Sequence, residues 1–593
     1  MTMSSPAFSA SIDIKVNGSE IQADEFARVN AVTIEQSVHL PSMCLIWLHD
    51  LGTDPTKAVF FRMLDQDTFP IGGELELGLS RDGEPETVFS GEITAVELEA
   101  TNDQTPRVLV RAFDRAHRLH RGWHNRSFLN MADSDIVSKI AQEVALTPST
   151  DSTNPTHDYV FQYNKTNWEF LRQLAARNGF ECYVDGRTLH FAEPRNGQEE
   201  GPEQRLWDNL IDIHVKMTSA FQASSVIVKS WDMKSKEAIV GTASSGSMAP
   251  TIGESRNGST MAADFGDATV YAINRPLDDQ SAADTLATAI YNDLDGTFVE
   301  AEGTCLGDPA LKAGLTVKLP TLGTRLSGDY YLTSVVHSVR TNVAYTTRFT
   351  ISGRRSHSLL EMVQGPDAGS GLPNAVVGLV TNNTDPDGLG RVKVKFPWMD
   401  DSEESWWARL AVPMAGSSRG MFFLPEVNDE VLVAFEHGDF TRPFVLGALW
   451  NGQDAPPKTN NEVVSSSKVN ERILKTRAGH TISLDDTEGS EKISIKDKTE
   501  NNKIEITASD NTIAITAAGD VKLTATGKVV VDSTGDTTVD AQSATVTCKQ
   551  DATVTATAQL KLKGATVAIE ADGTMDIKSS GILTMSGSLV KIN

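Results

Sequence analysis

The last 143 residues of this chain contain no aromatic ring: from 451 to 593 there is no Phe, Tyr or Trp, and after Pro457 there is no proline. A globular domain of that length normally fills its core with rings. Their absence calls for a core too narrow to hold them. Strand-forming stretches are abundant, among them "KISIKD", "KIEITAS", "TIAITAAG", "KVVVDSTG" and "VAIEADG". Their alternation of Val, Ile, Leu and Thr with polar residues gives one inward and one outward face. Gly519, Gly527 and Gly535 mark a beat near eight, with slips around Val539 to Val546 and near Gly564. Five or six residues of strand and a short corner fill one octad. One octad cannot close a core, but three can wall a triangular prism. The three can come from one chain in sequence or from three chains wound together. The second arrangement removes exposed strand edges. Roughly a dozen octads at a strand spacing of about 4.8 Å make a needle about 60 Å long. A single-chain β-solenoid stays open on periodicity alone. A flexible Thr/Ala/Gly linker is disfavoured, because the alternation persists for about a hundred residues.

The 593 residues suggest three or four domains. A formal net charge of −26 disfavours nucleic acid as a partner, because phosphate binding needs clustered Lys and Arg. The start, "MTMSSPAFSASIDIKV", lacks the charged and apolar regions of a secretory signal, so synthesis in the cytoplasm is expected. No run of about 18 apolar residues is present. Cys44, Cys182, Cys305 and Cys548 lie far apart without a CxxC pair, and read as reduced core residues.

Residues 365–374, "GPDAGSGLPN", read as a linker. Short strands are then expected at 375–380, 391–396, 406–411, 420–424, 430–435 and 444–450, separated by "DPDG" and "HGD" turns. Five or six short strands in so little chain suggest an OB-fold barrel over 375–455. Asp385 and Asp387 invite a metal, but Asp-Pro and Asp-Gly are turn chemistry. Acidity and the lack of a basic, aromatic strand face argue against an oligonucleotide ligand. A connector at 456–475 leads to a spike domain at 476–593.

"DPDGLGRVKVKFPW", "PEVNDEVLVAFEHGDFTRPFVLGALWNG" and "TRAGHTISLDDTEGSEKISI" resemble the spike segment of VgrG-type proteins. These are the trimeric tips of type VI secretion machines, contractile phage tails and related injection systems. Arg391, Pro425, Glu430, Gly438, Asp439, Pro443, Gly447, Asn451, Gly479, His480, Asp485 and Asp486 fall at the family's pattern positions. Asn428 departs from it, where Gly is more usual.

Residues 1–364 resemble the family's hub domain. In "YVFQYNKTNWEFLRQLAARNGFECYVDGRTLHFAEP", Thr166 and Glu169 form a capping box, Phe170, Leu171, Leu174 and Ala175 line one helix face, and Gly179 can end the helix. A hairpin follows, turned by Asp185 and Gly186. Helices are also expected within "ADSDIVSKIAQEVAL" and at 281–294. The resemblance implies a mainly β fold: a hub of two tube-like barrels with helical insertions, an OB barrel, and an intertwined trimeric β-helix needle. It implies a homotrimer whose six barrels meet a hexameric, Hcp-like inner tube and baseplate proteins.

"HRLHRGWH" brings His117, His120 and His124 together, a conceivable metal site, but Gly122 weakens a continuous helix and the interleaved Arg and Trp suit a domain junction. No GxSxG, HExxH, P-loop or GxGxxG context is present. Some phage spikes carry a lysozyme domain between barrel and needle, and the gap between Asn451 and "TRAGHTISL" is too short for one. No enzyme, cofactor or fused effector is expected. The functional expectation is a central spike that caps the inner tube and pierces a target envelope when the sheath contracts, with possible effector cargo. Leu589, Val590 and Ile592 at the blunt end are expected to dock a PAAR-type tip protein. The alternatives are a single-chain β-helix enzyme acting on carbohydrate and a trimeric adhesin.

Overall fold

The computed structural model describes residues 10–50, 61–101, 104–198, 200–273, 275–277, 279–353, 375–397, 399 and 402–592. The linker at 365–374 lies outside them. The chain divides into two compact units, Met1–Lys458 and Thr459–Asn593.

The first unit is organised by one antiparallel sheet of eleven strands. Eight of them carry the later argument: β1 (Val29–Ser37), β2 (Met43–His49), β3 (Glu86–Thr101), β4 (Gln104–Phe113), and, after strands β5 (His124–Met131) and β6 (His157–Lys165) of a separate pair, β7 (Leu210–Met217), β8 (Val299–Leu306), β9 (Ser334–Arg340) and β10 (Val343–Ile351). Their order is β7-β8-β10-β9-β1-β2-β4-β3, continued by Glu74–Ser80, Ser11–Val16 and Ser19–Glu20. Alternate residues of these strands face inward, as a period of two requires. Ile34, Ile46, Leu77 and Val110 are fully enclosed in one core, and Val317, Tyr330, Val335 and Phe349 in a second.

Between the two groups of strands sits a helix-and-hairpin insertion. Helix α1 (Asp133–Glu143) buries Ile136, Val137 and Ile140, and α2 (Asn167–Asn178) buries Phe170, Leu171, Leu174 and Ala175. The capping box at α2 is formed: Thr166 Oγ1 accepts from Glu169 N at 3.2 Å, and Glu169 Oε2 accepts from Thr166 N at 2.9 Å. Gly179 ends the helix at φ 74°, a left-handed conformation that costs glycine little. The hairpin pairs Glu181–Asp185 with Thr188–Ala192. Helix α3 (Gln280–Asp295) covers one face of a three-stranded sheet through Ala283, Leu286, Ala287 and Tyr291. Cys44, Cys182 and Cys305 are buried as expected, whereas Cys548 is exposed.

The OB domain is a five-stranded sheet, β12-β11-β14-β15-β13, built from β11 (Val376–Asn382), β12 (Lys393–Lys395), β13 (Arg409–Leu410), β14 (Glu430–Phe435) and β15 (Pro443–Ala448). Bridges Val392–Ala408 and Lys395–Glu404 join its two ends. The strand expected at 420–424 is not formed. A two-residue ladder, Ala415–Gly416 with Arg419–Gly420, takes its place, and Phe422 and Phe423 project to solvent.

In the second unit five strands form an antiparallel meander: β16 (Glu471–Lys475), β17 (Thr481–Asp485), β18 (Lys492–Lys496), β19 (Lys503–Thr507) and β20 (Thr512–Thr516). β16 lies in the segment read as connector. The strand starts are nine to eleven residues apart, so the octad does not describe this part. Two of its four loops open with an Asx turn: Asp497 Oδ1 accepts from Thr499 N at 3.1 Å and Asp485 Oδ1 from Thr487 N at 3.0 Å. From 518 onward, where the octad does hold, the described residues form no strand within the chain and are exposed.

Candidate functional site

"TIS", "KISI", "KIEI" and "TIAI" place isoleucine at every second position, and the register of the meander sorts them onto one face. One row across the sheet runs Leu474, Ile482, Ile495, Ile504, Ile515, each directly opposite the next. The second runs Leu484, Ile493, Ile506, Ile513, with Arg472 at its edge. These side chains remain 40–72% exposed, and the first row lines an open groove of about 510 Å³. The opposite face is the polar one, yet it is the better covered. Ser483 and Ser494 are buried there with their Oγ atoms 2.7 Å apart, and Glu505, directly opposite Ser494, pairs with Lys503. The sheet therefore turns its hydrophobic side outward. From Val521 to Ile592 the aliphatic side chains are exposed as well, Leu589, Val590 and Ile592 among them.

A second feature, within the first unit, fastens hub to OB barrel. β6 alternates Tyr159, Phe161 and Tyr163 on one face, and this aromatic row enters the OB core. Phe440 stacks on Phe161 at 4.5 Å and on Tyr163 at 5.2 Å, while Tyr159 stacks on Trp406 at 5.9 Å. Tyr159 donates its hydroxyl to Glu404 O at 2.9 Å, and Glu403 Oε2 accepts from Ser127 N at 3.1 Å. Burial and the nearby Glu403 and Glu404 push the Tyr159 phenol far above its usual range, so it stays a donor. This joint escaped the sequence reading. Its signal was the period-two spacing of three rings in "YVFQY".

The family-pattern residues occupy turns and strand ends. Arg391 is buried; its guanidinium donates to Asp385 Oδ1 and to Asp387 Oδ2, both at 2.7 Å. The hydrogen bond from Arg391 holds the Asp385 carboxyl down to about 2. Asp385 also accepts from the backbone of Asp387 and Leu389, as a turn residue does. Pro425 O accepts from Asn383 Nδ2 at 3.0 Å, and Glu430 Oε2 from Asn451 Nδ2 at 3.1 Å. Gly438 lies at φ 76°, and Asp439 Oδ1 accepts from Thr441 N at 2.9 Å. Pro443 and Gly447 lie in β15. Gly479 sits at φ 99° in the β16–β17 turn, next to His480 at the groove. Asp485 closes β17, and Asp486 pairs with Arg472 at 2.5 Å. Asn428 lies at φ 76°, a left-handed position where Asn is the usual substitute for Gly.

The three histidines find separate partners. His117 Nε2 is 2.7 Å from Glu92 Oε2, His120 stacks on Trp168 at 5.2 Å, and His124 lies in β5 opposite Lys165. The domain-junction reading of "HRLHRGWH" fits this arrangement: Arg118 also grips Glu92, and donates to Val144 O at 3.1 Å.

Comparisons with known proteins agree with this architecture. The family model of the type VI secretion system/phage-baseplate injector OB domain matches residues 376–450. The model of the Alg8 N-terminal domain matches residues 7–341, more than half of the chain. The actin cross-linking toxin VgrG1 of Vibrio cholerae is 22% identical over 420 residues, 65% of this chain and 36% of that protein. The type VI secretion system spike protein VgrG1b of Pseudomonas aeruginosa is 23% identical over 447 residues, 69% of this chain and 58% of its own. The chain thus spans between about a third and three fifths of the length of these two relatives. A chain of the Francisella PdpA–VgrG complex, in its half-lidded form, is similar with a TM-score of 0.51 over 86% of this chain and 88% of that one. At 9% identity the likeness is one of fold.

The injector OB domain and these relatives make the chain similar to VgrG-type spike proteins. More narrowly, the chain belongs to the family of the Alg8 N-terminal domain.

Proposed function

We propose that three copies of this chain assemble into the central spike of a contractile injection machine, capping the inner tube at the hub end and piercing a target envelope on sheath contraction. The observation that carries the assembly is the outward-facing hydrophobic side of the meander, nine aliphatic residues in two rows. Soluble monomers rarely leave an apolar patch of this extent open. Three such faces, related by a threefold axis, bury one another, and the aliphatic side chains beyond 517 do the same. Each Å² removed from water contributes about 25 cal/mol. The result is a thin core without rings and without free strand edges, and a stiff rod is what a piercing tool requires.

A single-chain carbohydrate-active β-helix is not favoured. Such a solenoid encloses its aliphatic residues within one chain, and here Leu523, Val531 and Ile569 are all more than 65% exposed. At the hub end the expected partner is a hexameric tube protein. At the needle end Leu589, Val590 and Ile592 are the expected seat of a PAAR-type tip protein, and removal of residues 586–593 abolishes its binding while the trimer persists. No effector or enzymatic role is assigned to the chain itself. Mass measurement in solution tests the assembly: three times 64.1 kDa is expected, and a stable single protomer with an ordered tail overturns it.

A further inference from the structure

The eight main strands of the hub are one four-strand unit used twice. β1, β2, β3 and β4 lie in the sheet in the order first, second, fourth, third, and so do β7, β8, β10 and β9 for the second set. The match extends to single residues. In the first unit the β1–β2 ladder slips between Val29 and Ala31, with Val29 opposite Leu48 and Ala31 opposite Trp47. In the second, the β7–β8 ladder slips between Leu210 and Asp212, with Leu210 opposite Cys305 and Asp212 opposite Thr304. A second irregularity recurs near the hairpin turn: Glu99 to Thr101 in β3, and Ser338 to Arg340 in β9. Bulges are residue-specific features, so the two pairs of bulges fix how the units superpose. Val29 falls on Leu210, Leu48 on Cys305, Thr101 on Arg340 and Gln104 on Val343.

Within one copy the two units are already joined. The last strand of the second unit, β9, pairs antiparallel with the first strand of the first, β1, from Ser334–Ser37 to Arg340–Ala31. Among the described residues, the equivalent ends of the pair of units are open. β7 is the terminal strand of the sheet. β3 is paired on both sides only as far as Ile93, whose backbone bonds to Gly72 and Gly73; from Thr94 on, the described residues pair it with β4 alone. Open edges of this length template further pairing.

We infer that residues 95–101 of β3 in one copy pair antiparallel with residues 212–218 of a neighbouring copy, repeating the β9–β1 junction across the subunit boundary. This rests on the three-copy reading above and names the contact that closes the hub. Transferring the β9–β1 register through the superposition places Glu97 opposite Lys216 and Glu99 opposite His214 of the neighbour. On the other face it places Val96 opposite Met217, Leu98 opposite Val215, and Ala100 opposite Ile213. The register came from backbone pairing alone, yet the side chains it brings together are complementary: acid meets base on one face, and apolar meets apolar on the other. Ile213, Val215 and Met217 pack on the core of the second unit and Val96 on that of the first, so the junction makes those cores continuous from copy to copy. The contact is head-to-tail. Such contacts close into a ring when the rotation permits, and three copies then present six equivalent units.

Cysteine cross-linking of the full-length protein tests this. In a Cys548→Ser background, Leu98→Cys combined with Val215→Cys is oxidised with diamide and run on a non-reducing denaturing gel. A covalent trimer that disappears on reduction is expected, with neither single variant cross-linking. Leu98→Cys with Ile211→Cys, four residues out of register, is expected to yield at least tenfold less. Glu97→Lys is expected to cut the 98–215 yield about fivefold, and adding Lys216→Glu to restore it. A trimeric mass without the 98–215 product, or with more product from the offset pair, refutes the junction while leaving the trimer standing. A monomeric mass removes both.

Discussion

The strands of the hub and the strands of the needle sheet alternate apolar and polar side chains alike, yet they end in opposite environments. In β1 and β2, Val32, Ile34, Ile46 and Leu48 are fully buried; in β17 to β20, Ile482, Ile495, Ile504 and Ile515 are 42–62% exposed. Alternation makes a hydrophobic face, but only a second layer buries it. The hub finds that layer within its own chain. Among the described residues of the tail, the one-turn helix Asn460–Val463 and the two-residue ladder Val464–Ser465 with Lys468–Val469 are too short to cover its apolar face, which the proposed trimer would bury. Charge separates the two regions further. Residues 459–593 hold eighteen acidic and fifteen basic side chains, while the remaining excess of acid lies in the first 458. A nearly neutral tail suits the proposed trimer, in which three identical walls would meet at one axis with little like-charge repulsion.

The sharpest way to break this contrast is Ile495→Asp. Three carboxylates would meet in the narrow core, each costing several kcal/mol unpaired. Loss of the trimer by mass is expected, with hub thermal unfolding unchanged; a trimer that survives shows that the apolar face is not the interface. Next in size is Phe440→Ala at the hub–OB joint, expected to destabilise the OB transition in denaturant by about 3–5 kcal/mol, without altering subunit number. A third effect belongs to the hub alone. His337 in β9 is enclosed, with Nδ1 2.9 Å from Tyr345 Oη and Nε2 3.1 Å from Leu311 O, and burial pushes its imidazole down to about 4. The unfolded chain binds a proton near 6.5 and the folded hub does not until about 4. Hub stability therefore falls as pH drops from 6.5 to 4, by about 3 kcal/mol in all. Calorimetry at pH 7 and pH 5 checks it: equal melting of the hub at both would exclude this linkage, and His337→Gln should flatten the dependence. Smallest is Thr166→Ala, which removes the α2 cap and is expected to cost about 1 kcal/mol of hub stability, measurable by urea unfolding.

Much of this molecule was legible before its structure. The capping box at Thr166 and Glu169, the glycine at 179 and the turn at Asp385 are local chemistry, and local chemistry survives folding unchanged. The ringless tail was legible too, because composition alone limits core width. The eight-residue beat was overextended: it begins only after 517, and the loops of the meander stretch the earlier repeat. The hub–OB joint was not legible, since Tyr159, Phe161 and Tyr163 read as any buried strand would until a partner some 280 residues away was seen. His337, an unremarkable residue in the sequence, is polar and buried only because Tyr345, Thr347 and Leu311 converge on it.

By itself, then, the sequence determined the character of each region: alternating strands in the hub, OB barrel and meander, a tail without Phe, Tyr or Trp, acid concentrated toward the hub, and the local caps and turns that punctuate them. Only the tertiary structure decided which strands are neighbours, that one four-strand unit occurs twice, and where hydrophobic faces are left uncovered. The physical reason is that alternation and turn chemistry act over a few residues, whereas pairing between strands separated by as many as three hundred is set by which faces can be buried together.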